Sequence, residues 1–249
     1  MTGAKHTFPD HFSGHASEYA THRPYYPEAL YRFLVDNCPQ HDLAWDCATG
    51  NGQAAKSLAE HFERVIATDA SAEQIEAAPA RPDIEFRVAP AENSGIAATS
   101  VDLVTVAQAL HWFDIPAFFD ETTRVLKPGG LLAAWSYEKA SVNAIIDPIL
   151  DTIFDDVEDY WPPERDIVMN RYRDITFPWP EVEVPPIAMT ESWVVDQMLG
   201  YCRTWSASKR YQLDRGVDHV ANHEPDLRQA WGEGSRVVNW PLTIRAARR

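Results

Sequence analysis

The chain has 249 residues, of which 45% are hydrophobic, and its formal net charge at pH 7 is -15. A chain of this length can bury one α/β domain with elaborations but not two ordinary domains, and its many aromatic residues exclude a disordered protein. Such an acidic surface repels phosphate backbones and anionic lipids, so neither nucleic acid nor a membrane is expected as a partner.

The N-terminal region contains YATHRPYYPEALYRFL, a lead-in interrupted by prolines that runs into a helix ending near Cys38. The stretch before it, MTGAKHTFPDHFSGHA, lacks the apolar core of a signal peptide, and no run approaches the length of a membrane span. We therefore expect a cytoplasmic protein.

Cysteine and histidine usage gives no sign of a disulfide or a metal site. The three cysteines are far apart and lie in apolar settings, which indicates reduced core residues: Cys38, Cys47 and Cys202. Three N-terminal histidines cluster loosely without metal-ligand spacing on one helix face: His11, His15 and His22. No metal is predicted.

Between Leu43 and Ser136 the sequence alternates strand and helix patterns. The predicted strands cover residues 43–45, 65–68, 84–88, 101–107 and 131–135. Ser71 and Gln74 form a capping-box start for one of the helices, and the sequence KPGG ends another. This alternation predicts a doubly wound, mostly parallel sheet that binds ligands beyond the carboxyl ends of its strands.

After Ser136 the pattern changes. Residues 141–180 are acidic, aromatic and punctuated by prolines, which predicts a helical insertion over the sheet edge. Val182–Met189 and Arg236–Ala246 have strand character and are predicted to pair as a terminal antiparallel hairpin, giving seven strands in all. We expect one domain: a lid and helix (1–40), a cofactor-binding core (41–138), the insertion (139–181), and C-terminal strands with substrate-side helices (182–249).

The turn after the first strand, WDCATGNGQAA, places a carboxylate and two glycines before a helix. Its loose G-x-G-x-x-A pattern also fits a dinucleotide. Asp46, however, would repel a pyrophosphate and favour a cationic group, while Asp69 at the end of the second strand can accept hydrogen bonds from a ribose diol. Together the two carboxylates favour a nucleoside joined to an amino acid, which describes S-adenosylmethionine.

Four segments resemble the motifs of class I S-adenosylmethionine-dependent methyltransferases: DCATGNG, VIATDAS, VAPAENSG and RVLKPGGLLAAWSY. In three further segments the chain is similar more narrowly to the subgroup that includes trans-aconitate methyltransferase: YATHRPYYP, AQALHWFD and YCRTWSAS. The resemblance implies a Rossmann-like methyltransferase fold. It also implies a set of cofactor-binding residues: Tyr19, Arg23, Asp46, Ala48, Thr49, Gly50, Asn51, Gly52, Asp69, Ala70, Ile75, Ala91, Glu92 and Gln108.

Two positions depart from that family pattern. Ala48 stands where relatives often have glycine, which is harmless if its φ is negative. Pro90 stands where many relatives place an acid for the adenine amino group, so adenine recognition must use the backbone near Ala91 and apolar packing by Ile75. We therefore expect somewhat weaker cofactor binding.

The methyl acceptor is expected beside the end of the fourth strand. His111 is the candidate that orients or deprotonates the acceptor, with Trp112 beside it, while Gln108, Tyr19 and Arg23 would hold the methionine end of the cofactor. Five aromatic residues are expected to line the substrate pocket: Trp161, Tyr172, Trp193, Tyr201 and Trp205. Four arginines could pair with an anionic substrate: Arg165, Arg171, Arg173 and Arg203.

The favoured function is O-methylation of a small organic acid. N- or C-methylation of a small aromatic or lipid-like acceptor is the alternative, and a non-catalytic cofactor-binding protein stays open. Nucleic-acid methylation is disfavoured because the fourth strand is followed by AQALHW instead of an Asn-Pro-Pro-Tyr-type element, and because no Pro-Cys nucleophile is present there. Asp46 argues against a nicotinamide oxidoreductase.

Overall fold

The computed structural model describes residues 22–249 of the chain. The strands are β1 (Leu43–Cys47), β2 (Arg64–Asp69), β3 (Ile84–Val88), β4 (Val101–Ala107), β5 (Leu126–Tyr137), β6 (Met189–Trp193), β7 (Arg236–Trp240) and β8 (Leu242–Arg248). The α-helices are α1 (Glu28–Asp36), α2 (Gln53–Leu58), α3 (Ala72–Ala77), α4 (Ile115–Val125), α5 (Asp147–Asp155), α6 (Arg165–Met169), α7 (Val195–Arg203), α8 (Ser206–Arg215) and α9 (Glu224–Trp231). Short 3₁₀ turns cover Leu110–Trp112, Glu158–Tyr160 and His219–Asn222.

The central sheet has six strands in the order β3-β2-β1-β4-β5-β8. Neighbouring strands pair in parallel from β3 to β5, and β8 runs antiparallel to β5. The prediction of a doubly wound, mostly parallel sheet is therefore confirmed. The seven-stranded count is wrong, because β6 and β7 pair with each other in a separate two-stranded antiparallel sheet.

The strands of the central sheet are apolar because both faces are covered. Along β1, Trp45 packs on one side with Phe118 of α4, at 6.2 Å between ring centroids, while Ala44 belongs to the cluster on the other side together with Leu34 of α1. Every residue of β4 except Ala107 is buried. Two hydrophobic layers therefore sandwich the sheet.

The predicted terminal hairpin is corrected by the structure. Residues 182–187 form no regular strand, although the Val182 amide donates a hydrogen bond to the Ala246 carbonyl oxygen at 2.8 Å. Pro185 and Pro186 explain this, because proline has no N–H with which to continue a ladder. The segment 236–246 divides into β7, which pairs with β6, and β8, which pairs with β5.

A cap built from α5, α7, α9 and the β6–β7 sheet has a hydrophobic core of its own, in which Trp231 and Trp240 are fully buried. Helices α5 and α6 confirm the predicted helical insertion. The three cysteines are free and buried, as the sequence predicted. No helix between residues 22 and 249 is long and apolar enough to cross a membrane.

The strand order reverses beside β1, which lies between β2 and β4. Chain crossovers on the two sides of this point leave in opposite directions, so a crevice opens beyond the carboxyl ends of β1 and β4. The segments that follow these two strands begin at Ala48 and Gln108. The fold therefore places the two sequence motifs that were singled out at one edge of the sheet.

Candidate active site

The turn between β1 and α2 is held by bonds to the neighbouring strand. The Thr49 amide donates to the Thr68 carbonyl oxygen at 2.9 Å, and the Gly50 amide donates to Asp69 Oδ2 at 2.9 Å. Asp69 Oδ1 accepts from the Ser71 amide at 2.9 Å. Asp69 therefore ties the turn to the start of α3 through both of its carboxylate oxygens.

Asp46 lies beneath this turn instead of in a cavity wall. Its carboxylate is fully buried and accepts from the Thr49 hydroxyl at 2.5 Å and from the Thr105 hydroxyl at 2.8 Å. Burial raises the pKa of Asp46 to about 6, while the hydrogen bonds from the two threonines lower it. Asp46 therefore stabilises the turn from below. Its buried position does not support the predicted direct contact between its carboxylate and a cationic ligand.

The two positions in the turn that carry glycine differ in how much space a side chain would find there. Gly50 has φ +56°, and a Cβ built there would meet only Gln74 Oε1, at 3.8 Å. Gly52 has φ +84°, and its Cβ would lie 2.9 Å from two ring atoms of Phe86. Gly52 is therefore required for packing against β3. Ala48 also has a positive φ, 54°, so the condition under which an alanine there would be harmless is not met, and the alanine is strained.

A first cavity of about 870 Å³, including its open mouth, lies over the ends of β1, β2 and β4. Its walls are formed by Arg23, Tyr26, Ala48, Thr49, Gly50, Asn51, Gln53, Ala54, Asp69, Ser71, Gln74, Ala107, Gln108, Ala109, Trp112, Phe113 and Tyr137. The structure thus gathers seven of the predicted cofactor residues in one place: Arg23, Ala48, Thr49, Gly50, Asn51, Asp69 and Gln108.

The other predicted cofactor residues lie elsewhere. Tyr19 falls outside the described residues. Asp46 and Gly52 support the turn, as described above, and the remaining four positions are absent from the walls: Ala70, Ile75, Ala91 and Glu92. Glu92 accepts a hydrogen bond from the Asp114 amide at 3.1 Å, which ties its loop to the start of α4. Sequence motifs identify loops, but the direction of each side chain decides which residues reach a ligand.

A second cavity of about 770 Å³ adjoins the first and shares four wall residues with it: Arg23, Gln108, Trp112 and Tyr137. Its other walls are His111, Glu138, Lys139, Phe154, Trp161, Pro162, Arg165, Val168, Tyr201, Trp205 and Ser206. Of the five aromatic residues predicted for the substrate pocket, Trp161, Tyr201 and Trp205 lie here. Tyr172 is buried behind His111, and Trp193 packs in the cap core.

Arg23 joins the core of the protein to the cap at the boundary of the two cavities. Its guanidinium donates to the Tyr137 hydroxyl at 2.9 Å and to the Thr204 carbonyl oxygen at 3.0 Å, and it lies over the Tyr201 ring at 5.4 Å. Next to it, the Pro24 carbonyl oxygen accepts from Gln53 Nε2 at 2.8 Å. The segment beginning at His22 therefore crosses over the cavities from the cap to the cofactor turn.

Only one of the four arginines predicted to meet an anion lines the second cavity. Arg171 pairs with Glu138 at 2.7 Å, Arg203 pairs with Asp218 at 2.7 Å and with Glu224 at 2.9 Å, and Arg173 is exposed. Arg165 is different because no carboxylate of residues 22–249 lies within ion-pair distance of it. Its guanidinium stacks on Trp161 at 3.8 Å and on Phe154 at 4.9 Å. Burial lowers the pKa of Arg165 from its usual range.

His111 is neutral in this setting. Its Nδ1 lies 3.4 Å from the Tyr172 hydroxyl oxygen, and its ring packs on Trp112 at 4.8 Å between centroids. Burial and, to a smaller extent, the charge of Arg165 lower the pKa of His111 to about 3. A general base works best when its pKa is close to the operating pH. The structure therefore argues against proton abstraction by His111, and its orienting role stays a prediction.

Several wall residues were missed at the sequence level. Ser71 and Gln74 were read only as a helix cap, and the Ser71 hydroxyl does accept from the Gln74 amide at 3.4 Å. Tyr137 ends β5, so the rule that ligands bind beyond strand ends could have found it. Phe113 lies in the quoted AQALHWFD segment. Among the residues that the structure describes, no cluster of histidine, cysteine and carboxylate side chains is placed to hold a metal.

Comparison with known proteins identifies the family. The family model described as "Methyltransferase domain" matches residues 45–134. A Dictyostelium discoideum protein whose name describes it as a methyltransferase is 35% identical over 94% of this chain and 93% of its own length. The chain belongs to the methyltransferase family. The enzyme uses S-adenosylmethionine as its cofactor.

Two further relatives extend the comparison. A solved structure from Anaeromyxobacter dehalogenans, described as a type II methyltransferase, is 43% identical, covers 91% of this chain and 97% of its own, and superposes with a TM-score of 0.85. Methyltransferase pgmE of Aspergillus terreus is 28% identical over 70% of this chain and 59% of its own length. These likenesses confirm a class I methyltransferase with a Rossmann-like fold. The narrower likeness to trans-aconitate methyltransferase stays a prediction.

Proposed function

We propose that this methyltransferase methylates an oxygen atom of a small organic acid. The observation that carries the proposal is Arg165, a partly buried guanidinium in the second cavity with no carboxylate partner among residues 22–249. An unpaired cation is costly to bury, and an anionic ligand removes that cost. In a chain with a net charge of -15, a cation left for a ligand is a specific feature.

The other unpaired groups of the second cavity support an oxygen-rich acceptor. The buried nitrogen donors in its walls that have no acceptor among residues 22–249 include Arg165 Nε, Trp161 Nε1 and Gln108 Nε2. Donors without acceptors favour a ligand that brings lone pairs, and a carboxylate brings about four. The aromatic walls and a volume of about 770 Å³, including the open mouth, favour a small molecule over a macromolecule.

The proton balance also favours a carboxylate. When bound, S-adenosylmethionine supplies a methyl group whose bond to sulfur breaks, with the electron pair staying on sulfur, as an acceptor lone pair forms the new bond to carbon. A carboxylate is ionised at pH 7 and releases no proton in this step, whereas a hydroxyl or ammonium acceptor must lose one. His111, with a pKa of about 3, is a poor acceptor for that proton. Glu138 is engaged with Arg171.

The first cavity is proposed as the cofactor site. The turn residues Thr49, Gly50 and Asn51 line it, and so does Asp69 at the end of β2, whose carboxylate is the acceptor that we assign to a ribose diol. Apart from Arg23 and Tyr26, its walls come from the proposed cofactor core at residues 41–138, while the insertion and the C-terminal region supply most of the second cavity. This division supports the proposed arrangement of one domain with a cofactor side and an acceptor side.

The test is a screen of small carboxylic acids scored by release of S-adenosylhomocysteine, followed by Arg165→Gln. For the acid that turns over, we expect kcat/KM to fall about 10- to 100-fold, because a hydrogen bond to a charged group is worth about 1.5–3 kcal/mol. Arg173→Gln is the control, since Arg173 is exposed and does not line the second cavity. An unchanged kcat/KM in Arg165→Gln, with turnover of the acid intact, would refute the proposal.

A second candidate is N- or C-methylation of a small aromatic or lipid-like acceptor. The aromatic walls formed by Phe154, Trp161 and Trp205 favour it, because flat apolar rings stack on such side chains. The same screen separates the candidates when it includes phenols, amines and neutral aromatic compounds. Turnover of these compounds that is indifferent to Arg165→Gln would favour the second candidate.

A further inference from the structure

Gln108 stands at the boundary between the two cavities in an unusual backbone conformation. It follows the last residue of β4 and has φ +59°, a left-handed value that residues other than glycine rarely adopt. Its amide holds this conformation by donating to the Trp135 carbonyl oxygen of β5 at 2.9 Å. Backbone strain of this kind persists only where the surrounding structure enforces it, and it concentrates at functional sites.

The side chain of Gln108 carries an unsatisfied donor. Its Nε2 atom is buried and has no acceptor among residues 22–249. Gln108 belongs to the walls of both cavities. A buried amide nitrogen without a partner is costly, and a ligand oxygen in either cavity would remove this cost.

We propose that Gln108 is the residue that orients the methyl acceptor, with its Nε2 donating to the acid in the second cavity. This inference rests on the proposed function, because it requires an acceptor with oxygen lone pairs. In this arrangement Arg165 compensates the charge of the acid, and Gln108 supplies a directional hydrogen bond at the side of the cavity nearest the first one. The oxygen that does not accept this bond keeps its lone pairs for the methyl group.

The chemistry of an amide suits this position better than a charged side chain would. A lysine or arginine at position 108 would stand beside the first cavity, where it would repel a sulfonium. A glutamate would attract the sulfonium but repel the acid. A neutral N–H donor satisfies an oxygen acceptor without either penalty.

The experiment compares Gln108→Glu with Thr99→Glu. Thr99 is the matched control because its φ is also left-handed, 53°, and it is exposed outside both cavities. Calorimetry measures two affinities: that of S-adenosylhomocysteine for the free protein, and that of the acid for the protein loaded with S-adenosylhomocysteine. Steady-state kinetics then measures kcat and KM for the acid identified in the screen.

We expect Gln108→Glu to bind S-adenosylhomocysteine within about 3-fold of the wild type, while its affinity for the acid and its kcat/KM each fall about 30-fold or more. Thr99→Glu should change none of these values. Gln108→Asn tolerates the left-handed conformation and keeps a shorter donor, so it should fold if Gln108→Glu does not and should show an intermediate loss of acid affinity.

Two results would overturn the proposal. Gln108→Glu could lose S-adenosylhomocysteine binding by more than 10-fold while the loaded protein binds the acid normally, which would assign Gln108 to the cofactor. Alternatively, both Gln108 variants could methylate the acid at the wild-type rate. A wild-type enzyme that methylates phenols or amines but no acid refutes the proposed function itself, so the two failures are distinguishable.

Discussion

Replacing Gly52 by alanine separates two explanations for the small residues of the cofactor turn. In the structure the added methyl group points at Phe86 of β3, at 2.9 Å from two ring atoms, and the residue has φ +84°. The left-handed conformation costs an alanine about 1–2 kcal/mol, and overpacking a filled site costs about 1–3 kcal/mol. We therefore expect Gly52→Ala to lower the free energy of unfolding by about 2–5 kcal/mol.

Gly95 provides the control. It also has a positive φ, +68°, but a Cβ built there has no heavy atom within 4 Å. Gly95→Ala should therefore show the conformational cost alone, about 1–2 kcal/mol, and Phe86→Leu should recover part of the loss in the Gly52→Ala background. Urea unfolding of the four proteins measures these differences, and titration with S-adenosylhomocysteine measures binding. If Gly52→Ala were as stable as Gly95→Ala but bound S-adenosylhomocysteine more than 10-fold more weakly, glycine would be needed at position 52 so that the ligand can approach the backbone. That result would refute the packing explanation.

Three further predictions follow from the turn and the acceptor site. Ala48→Gly removes the strain of a left-handed alanine and should raise the free energy of unfolding by about 0.5–1 kcal/mol. Ala70→Gly, at an exposed position without a positive φ, should lower the free energy of unfolding by a similar amount. Urea unfolding measures both changes. The kcat for an acid acceptor should be constant from about pH 7 to 9, because neither the acid nor His111, with a pKa of about 3, titrates in that range. A rise in kcat with an apparent pKa near 7 that disappears in His111→Gln would show instead that His111 acts as a general base. The pKa of Asp46 is raised to about 6 in the folded protein, so between about pH 4 and 6 the folded protein holds a proton that the unfolded chain has released. The contribution of Asp46 to the free energy of unfolding should therefore fall by up to about 3 kcal/mol as the pH rises from about 4 to 6. Asp46→Asn should lack this contribution, and parallel pH dependences for the two proteins would contradict it.

The arrangement of the sheet was predictable because its signals are local. Strands buried on both faces read as continuous apolar runs, and the glycine turns and capping residues mark where they end. The boundaries of β3 and β4 agree with the sequence prediction residue for residue. The prediction of a strand at 182–189 was wrong. The alternating valines of this segment have the spacing of a strand, but the two prolines that follow them lack the backbone N–H groups that pairing with another strand requires.

The site was predictable at the level of loops but not of side chains. Thr49, Gly50, Asn51 and Asp69 lie in the first cavity as the motifs indicated. Asp46 immediately precedes the turn in sequence yet points into the core, because two threonines on different elements satisfy its carboxylate there. Burial and hydrogen-bond partners depend on the packing of distant segments, and a single sequence does not contain them.

The same limit applies to the arginines of the acceptor side. Arg165, Arg171, Arg173 and Arg203 look alike in the sequence, since each stands in a segment rich in carboxylates or aromatic residues. Three of them lie outside the second cavity, and Arg171 and Arg203 are paired with carboxylates; only tertiary packing sets Arg165 apart, by stacking it on Trp161 inside the cavity.

The central claim is that the second cavity presents a carboxylate to the methyl donor. Mass spectrometry of the products from matched pairs of compounds, each acid beside its own carboxamide, examines it most directly. The account predicts methyl esters from acids, formed together with one equivalent of S-adenosylhomocysteine, and no product from the carboxamides. Methylation of carboxamides, amines or phenols by an enzyme that leaves every acid untouched would contradict it.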